Sequence, residues 1–398
     1  MGRLTRRIFL SAAAPLLAAQ RRARKGSKIP SGKVEIVDPL TERPLFRLTD
    51  PAILHHLPHY HHHSIARNNS FLLLASERSG TRQIYRLNLP DGDMLQLTDG
   101  PGIHSYSPAM DIRRRNLFYL QQDSLKQAAP RGGREKTLYR SPAGWRPTGH
   151  LSVSDDGKFA ALVEIKPGQQ TDGFEEQFER HPRCRIQVVD TGKKSNWTAV
   201  EESHWLAYPQ FRPRTRDLLY AHEGPWGKVD GRLRFSSLDG KYKRNLRPRQ
   251  GEEEIGHEFW SRNGAEVCYV YYPDASGRGS EIRCVDPRTG QERTVSRCSK
   301  FGWVSGNQAG SALVGASRSL AGPNIYVLFP QLRREITLAE HATSGKPYPI
   351  AGTKREDPYA SWPEPVFSAD SEWVYFVSDR EGKPAVYSMK VSDFVETT

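Results

Sequence analysis

The sequence predicts an all-β fold, a seven-bladed β-propeller whose last blade is closed by strands from both termini. Three observations predict it. A unit of short strands and polar turns opens seven times along the chain, and repeats of roughly 40–50 residues with several strands each characterise propeller blades. Side chains alternate along the units, as with Ile282, Cys284 and Asp286 against Arg283 and Val285, which is the period of a strand. No helical period of useful length competes with it.

The elements follow in order. Val34-Glu-Ile-Val-Asp38 and Leu45-Phe-Arg-Leu-Thr49 have the character of outer strands of a blade. The first full unit runs from Arg67-Asn-Asn-Ser-Phe-Leu-Leu-Leu-Ala75 through Gln83-Ile-Tyr-Arg-Leu-Asn-Leu89 to Leu95-Gln-Leu-Thr-Asp-Gly100. Later strand pairs open at Asn116, Gly157, Asp217, Ala265, Ser311 and Glu372. The C-terminal stretch from Pro365 to Val391 supplies inner strands, so pairing it with the N-terminal strands removes the open sheet edge. One propeller domain over 34–395 is expected, rather than separate sandwiches.

Residues 1–28 stand apart. They hold eight Lys or Arg and no acid, so the net charge of +13 falls to about +5 (13 − 8) over the rest, and a nucleic-acid partner is not indicated. Thr5-Arg-Arg-Ile-Phe-Leu10, followed by the apolar run Leu10 to Ala19, has the form of a twin-arginine export signal. That predicts use of the twin-arginine machinery and a periplasmic mature chain. No apolar stretch reaches the ~20 residues of a membrane helix. The four cysteines, Cys184, Cys268, Cys284 and Cys298, lack the spacing of a zinc site. Cys268 and Cys284 flank a turn near Ser276-Gly277, which suits either a cross-strand disulfide or two reduced thiols.

Chemistry is expected where the repeat is interrupted. Tyr220-Ala-His-Glu-Gly-Pro-Trp226 and Gly256-His-Glu-Phe-Trp260 each put a histidine beside a glutamate, with Val229-Asp-Gly-Arg232 between them. His257 is the first candidate for that chemistry; a hydrogen-bonded channel residue is the plainer reading. Arg232 suits a two-pronged hold on a carboxylate, or a structural ion pair. His222 serves substrate or organises its loop. Trp145, Trp205, Trp226 and Trp260 are candidates to stack on a ring of a bound ligand, Trp260 first, or pack between blades. His55-His-Leu-Pro-His-Tyr-His-His-His63 holds six histidines. If Pro58 begins an innermost strand, His59, His61 and His63 share one face and suit a transition metal, or form a polar strand at the channel mouth.

These motifs, with Pro182-Arg-Cys-Arg-Ile186 and Trp205-Leu-Ala-Tyr-Pro-Gln-Phe-Arg-Pro213, make residues 34–395 resemble the oligogalacturonate lyases, seven-bladed propellers that degrade pectin fragments. The resemblance implies β-elimination on uronate-containing oligosaccharides, with His257 as base and Arg232 assisting at the sugar. It also implies manganese, held in the family by a histidine after a Cys-Ser pair and by a Gln-x-x-His-x-His run. This chain departs there: the matching positions are Lys300, Tyr359, Trp362 and Glu364. Only Glu364 is an ordinary metal ligand. Lys300 would neutralise a uronate directly or be a solvated lysine; Tyr359 would donate a proton or line the channel. A divalent metal stays open, as does a second reading from another class: a non-catalytic periplasmic propeller, TolB-like, binding acidic sugars or a protein.

Overall fold

The computed structural model describes residues 23–393 apart from Arg114, Asp172, Ala275 and Leu320. The twin-arginine run lies outside the described residues. Seven sheets of four or five antiparallel strands form the blades. The seven predicted openings coincide with the second strands of the blades: Phe71–Ser76, Leu117–Gln121, Phe159–Ile165, Leu218–His222, Val267–Tyr272, Leu313–Ser317 and Trp373–Ser378. Five of the seven are buried along their whole length. Strands with sheet neighbours on both sides and blades on both faces must be apolar throughout. The outer strands read as polar because one face meets water, as in Lys243–Asn245 and Glu292–Arg297.

Closure follows the prediction. Val34–Val37 and Pro44–Arg47 complete the sheet of Val366–Phe367, Trp373–Ser378 and Ala385–Lys390, with Phe46 opposite Ser388 and Arg47 opposite Tyr387. The N-terminal boundary differs from the expected linker ending at residue 28. Lys28–Ile29 already pairs with Met94 and Leu95 as a fifth, outer strand of the first blade. Apolar clusters fill the spaces between blades; one joins Leu45, Val314, Val327, Val374 and Phe376 across the sixth and seventh. Each such burial contributes about 1.5–3 kcal/mol. Cys268 and Cys284 are direct cross-strand partners in the fifth blade and are joined as a disulfide.

Two irregular segments position the site. Helix Phe174–Glu179 lies in the connection between the second and third strands of the third blade. The link between the sixth and seventh blades carries a small hairpin, Tyr348–Pro349 with Glu356–Asp357. Buried Arg82 anchors it from the first blade through Asp357 at 2.5 Å, and Arg82 also meets Glu77 at 2.8 Å. Glu77 in turn accepts the Ala351 amide at 3.2 Å.

Candidate active site on the propeller axis

Innermost strands line a propeller's axis, and here three of their residues, with one just ahead of a fourth strand, share an unusual backbone. Tyr208, His257, Trp303 and Glu364 each stand three residues before the end of the innermost strand of blades four to seven. Each has positive φ, 48°, 56°, 52° and 42°. The strand register slips at the first three. Such bulges re-aim a side chain, and holding a non-glycine residue there costs about 1–3 kcal/mol. The residue before two of them must be glycine. A Cβ on Gly256 would stand 2.3 Å from the Trp226 ring, and one on Gly302 would stand 3.0 Å from both His257 Nε2 and Arg318 Cγ.

His257 sits between Trp226, with ring centres 5.5 Å apart, and Trp303, at 5.4 Å. The Trp303 amide donates to its Nδ1 at 3.0 Å. A backbone N–H can only donate, so Nδ1 is bare and the neutral ring carries its hydrogen on Nε2. That Nε2 is buried with no protein partner. Burial, then the guanidinium groups of Arg318 and Arg232, hold His257 well below the ordinary histidine range. It is therefore neutral at pH 7.

Arg232 does not offer the expected two-pronged hold on a substrate. Its Nη1 and Nη2 bond the two oxygens of Glu223 at 2.8 and 3.0 Å, and its Nε and Nη2 bond those of Glu258 at 2.9 and 3.2 Å. All three side chains are buried. The glutamates of the two His-Glu runs thus meet on one arginine. Arg232 stacks 5.6 Å from the Tyr208 ring and 5.7 Å from that of Trp226, so it fixes the pocket floor.

The long link brings in the other wall. Trp362 packs against Trp303 at 5.2 Å and Tyr359 at 4.2 Å. The Tyr106 hydroxyl donates to the Tyr359 carbonyl at 2.7 Å. Burial, then nearby Glu223, pushes the Tyr359 hydroxyl up, so it stays protonated. Glu364 takes the Tyr60 amide on one oxygen at 2.7 Å, while its other oxygen is buried without a protein partner. Burial raises it to about 8, against the lowering effect of the Tyr60 bond, so the carboxyl is protonated near neutrality.

Other expected residues fall elsewhere. Lys300 lays its carbon stem against the backbone of Gly277, whose Cβ would meet Lys300 Cδ at 2.5 Å. Trp260 is a blade-packing residue, not a sugar platform: it is buried with Leu219, Leu233 and Phe235, and donates to the Gln210 carbonyl at 3.4 Å. His222 stacks on His204 at 4.3 Å and meets Asp230 at 3.3 Å, away from the aromatic walls around His257. His59, His61 and His63 do not share a strand face. The innermost strand of the first blade is His55–His56, and residues 57–63 form a turn closed by the His62 amide on the His59 carbonyl at 2.8 Å. His59 and His61 instead touch each other at 3.9 Å and face Tyr208 at 5.1 and 6.4 Å. Among the described residues no group of three or more His, Cys, Asp or Glu has metal-holding geometry.

Sequence reasoning missed Arg318 and Trp303, and the role of Glu223 and Glu258. Trp303 had a usable signal, since Gly302-Trp303 stands at the same strand position as Gly256-His257. Arg318 had none.

Fold and site together define a class: a seven-bladed propeller whose innermost strands carry a neutral histidine between two tryptophan rings, with two arginines acting on it. The chain belongs to the oligogalacturonate lyase family, whose model matches residues 23–395. It is 29% identical over 392 residues to the oligogalacturonide lyase of Pectobacterium atrosepticum, covering 93% of this chain and 99% of that one. The oligogalacturonate lyase of Dickeya dadantii is 26% identical over the same shares. A solved oligogalacturonate lyase in complex with manganese superposes with a TM-score of 0.86 at 26% identity, covering 93% of this chain and 98% of that one. The lyase from Vibrio parahaemolyticus gives 0.83 at 26% identity, covering 92% and 98%.

Lys300, Tyr359, Trp362 and Glu364, the positions that the resemblance implies for manganese, do not fit that metal. A lysine ammonium and an indole offer no lone pair for a metal, the Tyr359 phenol is held protonated, and Glu364 is neutral with one oxygen already bonded.

Proposed function

We propose that this chain is an oligogalacturonate lyase-like enzyme that cleaves uronate-containing oligosaccharides, such as pectin fragments, by β-elimination. The proton on the carbon beside the uronate carboxyl leaves, and its electron pair forms a carbon–carbon double bond. The glycosidic carbon–oxygen bond breaks, and the departing oxygen takes up a proton. The observation that carries this reading is His257: a neutral imidazole with Nε2 unpartnered, between aromatic walls and two arginines.

His257 is the group we assign to proton removal. To accept a proton the ring must give up the Trp303 bond, either by turning or by moving its hydrogen to Nδ1. That leaves the Trp303 amide without its acceptor, at a cost of about 1–3 kcal/mol. A positioned general base returns about 10²–10⁴-fold in rate, or roughly 3–5 kcal/mol.

The test is product formation from oligogalacturonides, followed by the ultraviolet absorbance of the unsaturated sugar. Wild-type protein should form it, and His257→Ala should lose at least about 100-fold in rate with unchanged thermal stability. A folded His257→Ala that keeps its rate removes His257 from the reaction. If the wild type binds uronates and forms no product, the binding-module reading replaces this one.

A further inference from the structure

We infer that Arg318 is the cation that receives the substrate's uronate carboxylate; the inference rests on the uronate reading above. Elimination loads negative charge onto the carboxylate oxygens as the neighbouring carbon loses its proton, so a cation must sit there. Three arrangements in the structure point to Arg318.

The first is availability. Arg232 spends its guanidinium on Glu223 and Glu258 inside the protein. Arg318 is exposed. Among the described residues no carboxylate stands within ion-pairing distance of it.

The second is preorganisation. The Arg318 guanidinium lies 4.2 Å from the Trp226 ring centre and 5.0 Å from that of Tyr272. A guanidinium held over these rings can turn its remaining N–H groups to the paired oxygens of a carboxylate. The main chain is tied down as well, with the Arg318 amide donating to the Lys300 carbonyl at 3.1 Å.

The third is placement. The acidic C–H is one bond from the carboxyl carbon, so the cation and the base must stand side by side. The Arg318 stem and the base do: Arg318 Cγ and His257 Nε2 each stand 3.0 Å from the point where Gly302 would carry a Cβ, and the Arg318 guanidinium is the foremost charge acting on His257. The absent side chain there leaves the two in one space. A carboxylate docked on Arg318 also offsets the positive field on His257 and makes the imidazole a better base when substrate is present. The ligand class that follows is an oligosaccharide with a free uronate carboxylate; a methyl-esterified one lacks the charge Arg318 reads.

The experiment uses the full chain with saturated oligogalacturonate and its methyl ester. It measures kcat/KM, the pH profile and thermal stability for wild type, Arg318→Gln and Arg318→Lys. Losing a charge-assisted pair should lower kcat/KM on the free acid by at least about tenfold in Arg318→Gln. Arg318→Lys should recover part of that. The acid limb of the Arg318→Gln profile should move to higher pH, because a positive neighbour of His257 is gone. Stability should hold, since the side chain is exposed. Wild-type preference for the free acid should collapse in Arg318→Gln. The inference is overturned if wild type turns over and Arg318→Gln matches it, or if Lys300→Gln abolishes acid preference while Arg318→Gln keeps it. If wild type neither binds nor cleaves any uronate, the uronate reading falls and Arg318 falls with it.

Discussion

At Arg232, two glutamates decide what an arginine can do. Read along the chain, the residue suits a carboxylate clamp; in the fold, its forked face is filled by Glu223 and Glu258. Nothing in the run Val229-Asp-Gly-Arg232 names those partners, which lie 9 and 26 positions away. The sequence does carry the consequence in another form, because both partners follow the histidines of the two conspicuous His-Glu runs. Replacing Arg232 by Met would leave two buried carboxylates without a counter-ion. Breaking a buried pair in this way costs about 3–5 kcal/mol. Glu258→Gln should cost less, since Arg232 keeps Glu223. Urea unfolding of the two variants checks this, and an Arg232→Met as stable as wild type would show that the cluster is not holding the pocket floor.

Strands were legible and turns were not. Period-2 alternation and the recurring apolar second strand located all seven blades, because those strands are buried between neighbours on every side. The same reasoning failed over Pro58–His63. Alternating histidines resemble a strand, yet proline offers no amide to a ladder. The local bond from the His62 amide to the His59 carbonyl closes a turn instead. The left-handed residues Tyr208, His257, Trp303 and Glu364 were equally hidden. A positive φ at a large side chain is imposed by tertiary contacts and leaves no mark in composition. What composition does keep is the glycine before two of them, where Trp226 or the His257–Arg318 pair leaves no room for a side chain.

Across the whole molecule, burial of histidine predicts how stability responds to acid. His55, His56, His222 and His341 are buried, and burial lowers them to about 3, 4, 4 and 4. In the unfolded chain they titrate near 6.5. Below that pH the unfolded state therefore binds more protons, and stability falls as pH drops through the window from 6.5 towards 4. Each such group contributes up to about 1.4 kcal/mol per pH unit. Glu364 works the other way: its folded value of about 8 lies above the ordinary carboxyl value, so its contribution is present at low pH and lost as pH rises through 8. One raised carboxyl against these four histidines and the similarly lowered His257 leaves acid destabilisation dominant. Thermal melts between pH 7 and 4 should fall steeply below about 6; a flat profile would contradict the burial of these rings.

Uronate elimination, as proposed, runs at a site whose tyrosine, tryptophan and neutral glutamate do not form a metal-binding set. The most direct measurement is the ultraviolet absorbance of unsaturated product from oligogalacturonate, recorded with native protein before and after exhaustive chelation. The rise is expected to survive chelation within about twofold, with His257 as the proposed base and Arg318 as the proposed cation. A rise that disappears on chelation and returns with manganese would contradict that proposal.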